Sequence, residues 1–348
     1  MPINIKQSLN DVYILRPIAV FFIIVYHSFI IYRGGWTQPA DYQDITTYYT
    51  IATISYAFWL ELFVFISGYL FALSLKRKQS KFKEIFISKF KRLILPSILF
   101  STIYYFMFYY PVDFSIYHCI IKIISGAGHL WFLPMLFWTM LICYIIDKWH
   151  ISTKLKVAGV LLLPILSLAS FPLRLNDACY YTMYFYIGML FFRNKELLLL
   201  YLAKSKMVIT WGIMFTLLFA IGYFLREYLI PDINNDDNIV VKVILHITSR
   251  YIKIVYCLVG IVWIYSLVNY LLKKKYISIT TRIINLSALC YGIYLFQQFI
   301  LKFLYYKTTL PIIVGPYYLP WIGLIITLII SYYFTKICRI TRIGKWLM

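Results

Sequence analysis

The chain has 348 residues, is 62% hydrophobic and 14% charged, and combines a mean hydropathy of +0.77 with a formal net charge of +21. A soluble domain of this length does not pair so little charge with so much apolar surface, and the apolar runs are too continuous for the period-two strands of a membrane barrel. The composition predicts an all-α polytopic membrane protein, and it turns the basic excess into a topological signal rather than a nucleic-acid footprint.

The first apolar run, 12–31, is long enough to cross a bilayer. It carries Arg16 and His27 at the two ends of RPIAVFFIIVYH, eleven residues apart. At 3.6 residues per turn both side chains fall on one helix face, about 16 Å apart along the axis. Such groups are costly inside a span unless they face protein or water, so this stripe predicts the wall of a working cavity. His27 has two readings, a hydrogen-bonded structural residue or a general base; neutral imidazole suits the second near neutral pH. No small-residue cleavage site follows the run, which argues against a cleaved signal peptide.

The second run, 50–75, holds Glu61 in mid-span, in SYAFWLELFVFISGYLF. Its bland reading is a carboxyl that joins helices; its functional reading is to orient a histidine or the substrate. Ser67 and Gly68 permit a close helix contact. The loop 76–92 carries eight Lys and Arg. The positive-inside rule and anionic headgroups account for most of them. Lys89, Lys91 and Arg92 differ, because they abut the third run and suit the phosphates of a nucleotide-like donor. His129 opens the fourth run in GAGHLWFLPML, where Gly126 and Gly128 bring the backbone in tightly and Trp131 marks an interface. By itself it reads as an interfacial histidine.

The remaining runs bring the expected count to ten: 12–31, 50–75, 93–110, 130–146, 155–172, 178–193, 207–226, 250–272, 286–305 and 318–338. No repeat or linker divides them, so residues 1–348 are expected to form one domain. With the N-terminus in the cytoplasm, 25 of the 34 Lys and Arg fall on the cytoplasmic side and nine on the other, where Asp232, Asp236 and Asp237 make an acidic loop. Both termini are then cytoplasmic. The loops are too short for a separate catalytic domain, so chemistry must sit within the bundle or at its edge. The six cysteines are scattered, without a CxxC pair, and read as small core residues; no HExxH, Walker A or GxGxxG is present and no metal site is expected.

Taken together, these residues resemble the acyltransferase-3 family of integral membrane acyltransferases. The likeness rests on an ordered set: Arg16 and His27 in LRPIAVFFIIVYHSF, Glu61 ahead of LFVFISGYLF, the basic FKRLILP of 90–96, and HLWFLPML from His129 to Leu136. Weaker matches follow in YFYIGMLFFR (184–193) and SALCYGIYLFQQ (287–298), so the likeness spans nearly the whole chain. One departure is Gln297, where the family often has His.

The resemblance implies transfer of an acyl group, commonly acetyl, from cytoplasmic acyl-CoA to a hydroxyl of a cell-surface polysaccharide or lipid-linked glycan, in a plasma or inner membrane. It implies no cofactor beyond the acyl-CoA donor. The candidate catalytic residues are His27, Glu61 and His129; the candidate substrate-binding residues are Arg16, Lys89, Lys91 and Arg92. The rival readings are a transporter of polysaccharide subunits or acyl groups on the same scaffold, and an inert membrane scaffold, which the intramembrane Arg16, Glu61 and His27 argue against. The acyl group, the acceptor sugar and the oligomeric state are not specified by the residues.

Overall fold

The computed structural model describes residues 9–78, 80–110, 115–225, 239–342 and 344, and among these there is no strand. Asp232, Asp236, Asp237 and Lys6 lie outside the described residues. Among the described residues, seven helical stretches are long and apolar enough to cross a membrane: Asn10–Arg33, Thr46–Arg77, Gly128–Lys148, Ser205–Phe224, Val240–Lys273, Thr281–Tyr306 and Leu310–Cys338. The chain is a multi-pass helical membrane protein. Three further expected spans are helical but shorter or more polar. These are α5 (Leu95–Phe108), α8 (Thr153–Leu166) and α9 (Leu175–Arg193), the last rich in buried tyrosine.

The expected second span is broken. It forms α2 (Thr46–Ser55) and α3 (Trp59–Arg77), with Tyr56, Ala57 and Phe58 between them. The break lets Tyr56 turn out of helical register, and its ring becomes part of a cavity wall. α1 (Asn10–Phe29) packs against α3, against α13 (Thr281–Tyr306) and against α14 (Leu310–Cys338). α11 (Ser205–Phe224) lies along α12 (Ile239–Lys273).

The tightest crossing is between α3 and α9. A Cβ added to Gly68 would stand 1.9 Å from the carbonyl oxygen of Phe185, and one added to Gly188 would stand 2.1 Å from that of Phe65. The two glycines are reciprocal, and each admits the other helix's backbone. In lipid, where water drives no association, such small-residue contacts supply the packing. The closeness expected from Gly68 is realised here.

Prolines leave carbonyls without a helical donor, and tyrosines take them. Pro96 has no N–H to return to the carbonyl of Arg92, and the Tyr291 hydroxyl donates to that oxygen at 3.1 Å. Pro320 does the same to Pro316, whose carbonyl accepts from Tyr32. In a membrane these oxygens would otherwise be unsatisfied, at a cost of several kcal/mol each by the usual scale, about 2–7 kcal/mol. α1 is also tied by charge. Asp11, buried at its start, pairs with Lys195 at 2.7 Å and accepts from Tyr69 at 3.3 Å.

Candidate active site

Arg16 and His27 do lie on one helix, and they line two separate hollows. His27 lines a cavity of about 370 Å³ at the C-terminal end of α1. Arg16 lines a pocket of about 180 Å³ nearer its N-terminal end.

The end of α1 is fixed by its neighbours. Tyr305 on α13 donates to the carbonyl of Ser28 at 2.8 Å, and Ser28 itself donates back to Ile24. The His27 ring stacks on Trp36, with centroids 5.9 Å apart and planes 11° apart. His27 Nδ1 is buried and makes no well-formed hydrogen bond. Gln297 on α13 and the backbone of Ile23 are its polar neighbours, and both polar atoms of the Gln297 amide are buried without a well-formed hydrogen bond of their own. A buried polar atom left unpaired costs about 1–3 kcal/mol, so weakly bonded groups gathered in one corner are destabilising where they stand.

His129 faces the same cavity in a different condition. Gly126 and Gly128 both have positive φ, and a Cβ at Gly128 would strike the Tyr104 ring at 2.4 Å. The loop is pinned where Ala127 N–H donates to Ser101 Oγ at 3.0 Å. His129 N–H then donates to Gln298 Oε1 at 2.8 Å, which sets the orientation of that amide. The ring Nδ1 meets the same oxygen at 2.8 Å, and Nε2 meets the carbonyl of Leu295 at 2.9 Å. Both ring nitrogens therefore face acceptors. Tyr104 also donates to Gln298, and Tyr294 donates to the carbonyl of His129. His129 is built into a network, whereas His27 is left open.

Glu61, 1% exposed, pairs with Lys253 on α12 at 3.1 Å and does not contact His27. Its role in joining helices is thus realised, with a cation as the partner. Lys253 also lies 4.8 Å from the Tyr56 ring centroid. Sequence reasoning singled out neither Lys253 nor Lys302, although Lys302 is the one lysine of α13 and Lys253 lies in the mostly apolar α12. Lys302 Nζ sits among four rings, 5.2 Å from Trp36, 5.4 Å from Tyr104, 5.6 Å from Tyr109 and 5.8 Å from Phe108. Desolvated contacts of this kind hold a cation at about 0.5–2 kcal/mol each.

The pocket at the other end is cationic. Arg16, Lys89 and Arg92 line it together with Ser67, Ser74 and Tyr291, and no carboxylate is in its wall. Arg16 Nε is buried without a partner. Lys89 ends α4 (Phe82–Lys89), and the chain then runs through a wider π-helical turn, Phe90–Ile94, before Pro96. That turn carries Arg92 round to the pocket. Lys91 is exposed and does not line it. α4 is outside the candidate spans. Burial, helped by the neighbouring Arg92 charge, pushes the Lys89 ammonium down to about 8.

An aromatic wall stands between the two hollows. Phe63 and Phe132 line the cationic pocket and Tyr294 lines the histidine cavity. Their ring centroids are 5.9 Å (Phe63–Tyr294), 5.6 Å (Phe63–Phe132) and 5.3 Å (Phe132–Tyr294) apart.

A family model described as an acyltransferase domain, that of the acyltransferase-3 family, matches residues 9–336. No curated protein and no solved structure matches the chain.

Proposed function

The chain belongs to the acyltransferase-3 family, and from that premise we propose that it is a membrane O-acyltransferase that moves an acyl group, in the first instance acetyl, from cytoplasmic acyl-CoA to a hydroxyl of a surface glycan or its lipid-linked precursor. The observation that carries this reading is the pairing of two hollows in one bundle. A carboxylate-free cationic pocket at Arg16 suits the phosphates of a CoA donor. A cavity with an unpartnered imidazole at His27 suits an acceptor hydroxyl.

The proposed orientation puts both termini, the Arg16 pocket and the 76–92 loop on the cytoplasmic side of a plasma or inner membrane. The whole chain acts as one domain of ten passes, with α5, α8 and α9 as the three short ones. The donor's phosphates rest on Arg16, Lys89 and Arg92. Its pantetheine arm extends along α1, past Phe63, Phe132 and Tyr294, over about half a bilayer, roughly 15 Å. The rings must part for it.

In the transfer step His27 takes the proton of the acceptor hydroxyl. The oxygen forms a bond to the thioester carbonyl carbon, the carbon–sulfur bond breaks, and the CoA thiolate takes the proton back from the imidazolium. Gln297 holds the acceptor hydroxyl beside His27. His129 is a positioning residue, because its ring nitrogens hold Gln298 and Leu295. Glu61 and Lys253 fasten α3 to α12 at the cavity rim.

The test is CoA release by purified protein given acetyl-CoA with and without glycan acceptors, together with mass spectrometry of surface glycans from cells with and without the protein. Acceptor-dependent release and a lost acyl mass on glycan that is still exported are expected. Lost export with unchanged glycan composition would make the chain a transporter instead.

A further inference from the structure

The positive-inside rule explains the cytoplasmic cations of this chain and leaves the remaining ones unexplained. In the orientation proposed above, nine Lys and Arg lie on the outer side: Arg33, Lys122, Arg174, Arg226, Lys242, Arg250, Lys253, Lys302 and Lys307. Four of them line two hollows, and a fifth, Arg33, lies beside a shared wall residue. Lys302 lines the His27 cavity, and Arg174, Arg250 and Lys253 line an adjoining cavity of about 510 Å³. Arg33 lies 5.1 Å from the ring of Tyr56. The two cavities share Tyr56 and Trp131 in their linings, so they lie side by side, and His27 lines the smaller; the pair is termed the cleft.

The charges in this cleft do not cancel. Lys253 is met by Glu61 at 3.1 Å and Arg174 by Asp177 at 3.5 Å. Among the described residues, Arg33, Arg250 and Lys302 have no carboxylate within ion-pair distance. Arg250 hydrogen-bonds Ser167 and lies 5.7 Å from the Tyr180 ring; Asp177, already paired with Arg174, lines the same cavity and feels the Arg250 charge. Arg174 lies over Trp131 at 5.8 Å. Guanidinium groups fixed against flat rings, beside an aromatic wall, match a ligand with sugar-like faces and an anionic substituent. Each cavity falls within the size range of ligand sites, about 300–1,000 Å³.

We propose that this cleft is an acceptor site selective for an anionic glycan, one that carries a carboxylate on a sugar ring or a phosphate ester. The inference rests on the acyltransferase reading, since it names the class of acceptor. Arg250 and Lys302 grip the anionic group, Trp131 and Tyr56 pack on the sugar, and the hydroxyl to be acylated reaches His27.

The test is calorimetric titration of the full-length protein in neutral-lipid nanodiscs. Tetragalacturonate is compared with its methyl ester, and glucose 1-phosphate with methyl glucoside. At least one anionic probe is expected to bind about tenfold or more tightly than its neutral counterpart, with affinity falling as salt rises. Tetragalacturonate binding alone assigns the carboxylate; glucose 1-phosphate binding alone assigns the phosphate. Arg250→Gln should weaken that binding about tenfold and Arg250→Lys should retain most of it, and Lys302→Gln serves where Arg250→Gln does not fold. Failure of both anions to bind, neutral probes that bind as tightly, or an unchanged Arg250→Gln variant would overturn the proposal. CoA release measured on the same preparation separates the two readings. Acyl transfer without charge preference removes the anionic site and leaves the enzyme, whereas anion binding in a protein that transfers no acyl group to any acceptor removes the enzyme and leaves the cleft.

Discussion

The two ends of α1 present opposite solutions to polar chemistry in a membrane. At the Arg16 end, cations stand together with no carboxylate in the wall, in a pocket of about 180 Å³. At the His27 end the cavity is twice as large, His129 and Gln298 in its wall are hydrogen-bonded to each other, Lys302 is held among aromatic rings, and His27 Nδ1 makes no well-formed hydrogen bond. Unmatched charge calls for an anion. An unmatched neutral nitrogen beside an amide calls for a hydroxyl. On the proposed reading, the difference teaches that unsatisfied groups, rather than the most connected ones, mark where substrates go, because an uncompensated buried group is stable only where the fold or a ligand supports it.

The contrast can be broken most directly at the cationic end. On the proposed reading, Arg16→Gln with Arg92→Gln removes two charge-assisted contacts to donor phosphate. At about 1.5–3 kcal/mol each, this should weaken acetyl-CoA binding by about 10²–10⁴. Lys91→Gln, one residue from Arg92 but outside the pocket, should change binding less than about threefold. Equal losses from Lys91 and from the pair would mean that the basic run acts only as a diffuse field.

The aromatic wall separates the ends, so thinning it should blur the distinction. Phe63→Ala is expected to raise acceptor-independent hydrolysis of acetyl-CoA several-fold, by letting water reach the thioester, with a stability cost of about 3–5 kcal/mol for the large-to-small change. Unchanged hydrolysis in folded protein would show that the two hollows do not communicate past Phe63.

A smaller effect sharpens the cationic end by pH. Lys89 is held down to about 8 by burial and by Arg92, so it loses its charge as pH rises through that value, where an ordinary lysine keeps it. Donor affinity should therefore fall a few-fold across that range, and Lys89→Arg should flatten the fall. A profile that is flat in both proteins would remove Lys89 from the donor site.

Much of this was legible in the sequence because it depends on one helix at a time. The spacing of Arg16 and His27 placed them at two ends of one face, and Gly68 announced a close crossing that Gly188 completes. What was not legible depends on contacts between distant segments. Glu61 finds Lys253, 192 residues away, and no periodicity pairs them. His129 loses its freedom to Gln298 and Leu295, which only the folded bundle brings near. The break at Tyr56 to Phe58 carries no Pro or Gly to signal it, so 50–75 read as one span. The departure at Gln297, read as a gap in the family pattern, is filled by an amide that faces His27.

The central claim is that, of two histidines in one cavity, the open one is the base. Single-turnover transfer from acetyl-CoA to an acceptor glycan, measured for His27→Gln and His129→Gln beside the wild type, tests it. His27→Gln keeps a hydrogen-bonding group but cannot take a proton near neutral pH. The account predicts that it slows transfer by about 10²–10⁴ while acetyl-CoA binding is unchanged, and that His129→Gln, which can keep part of its network, slows transfer less. Wild-type transfer by a folded His27→Gln protein would contradict the account and make His27 structural.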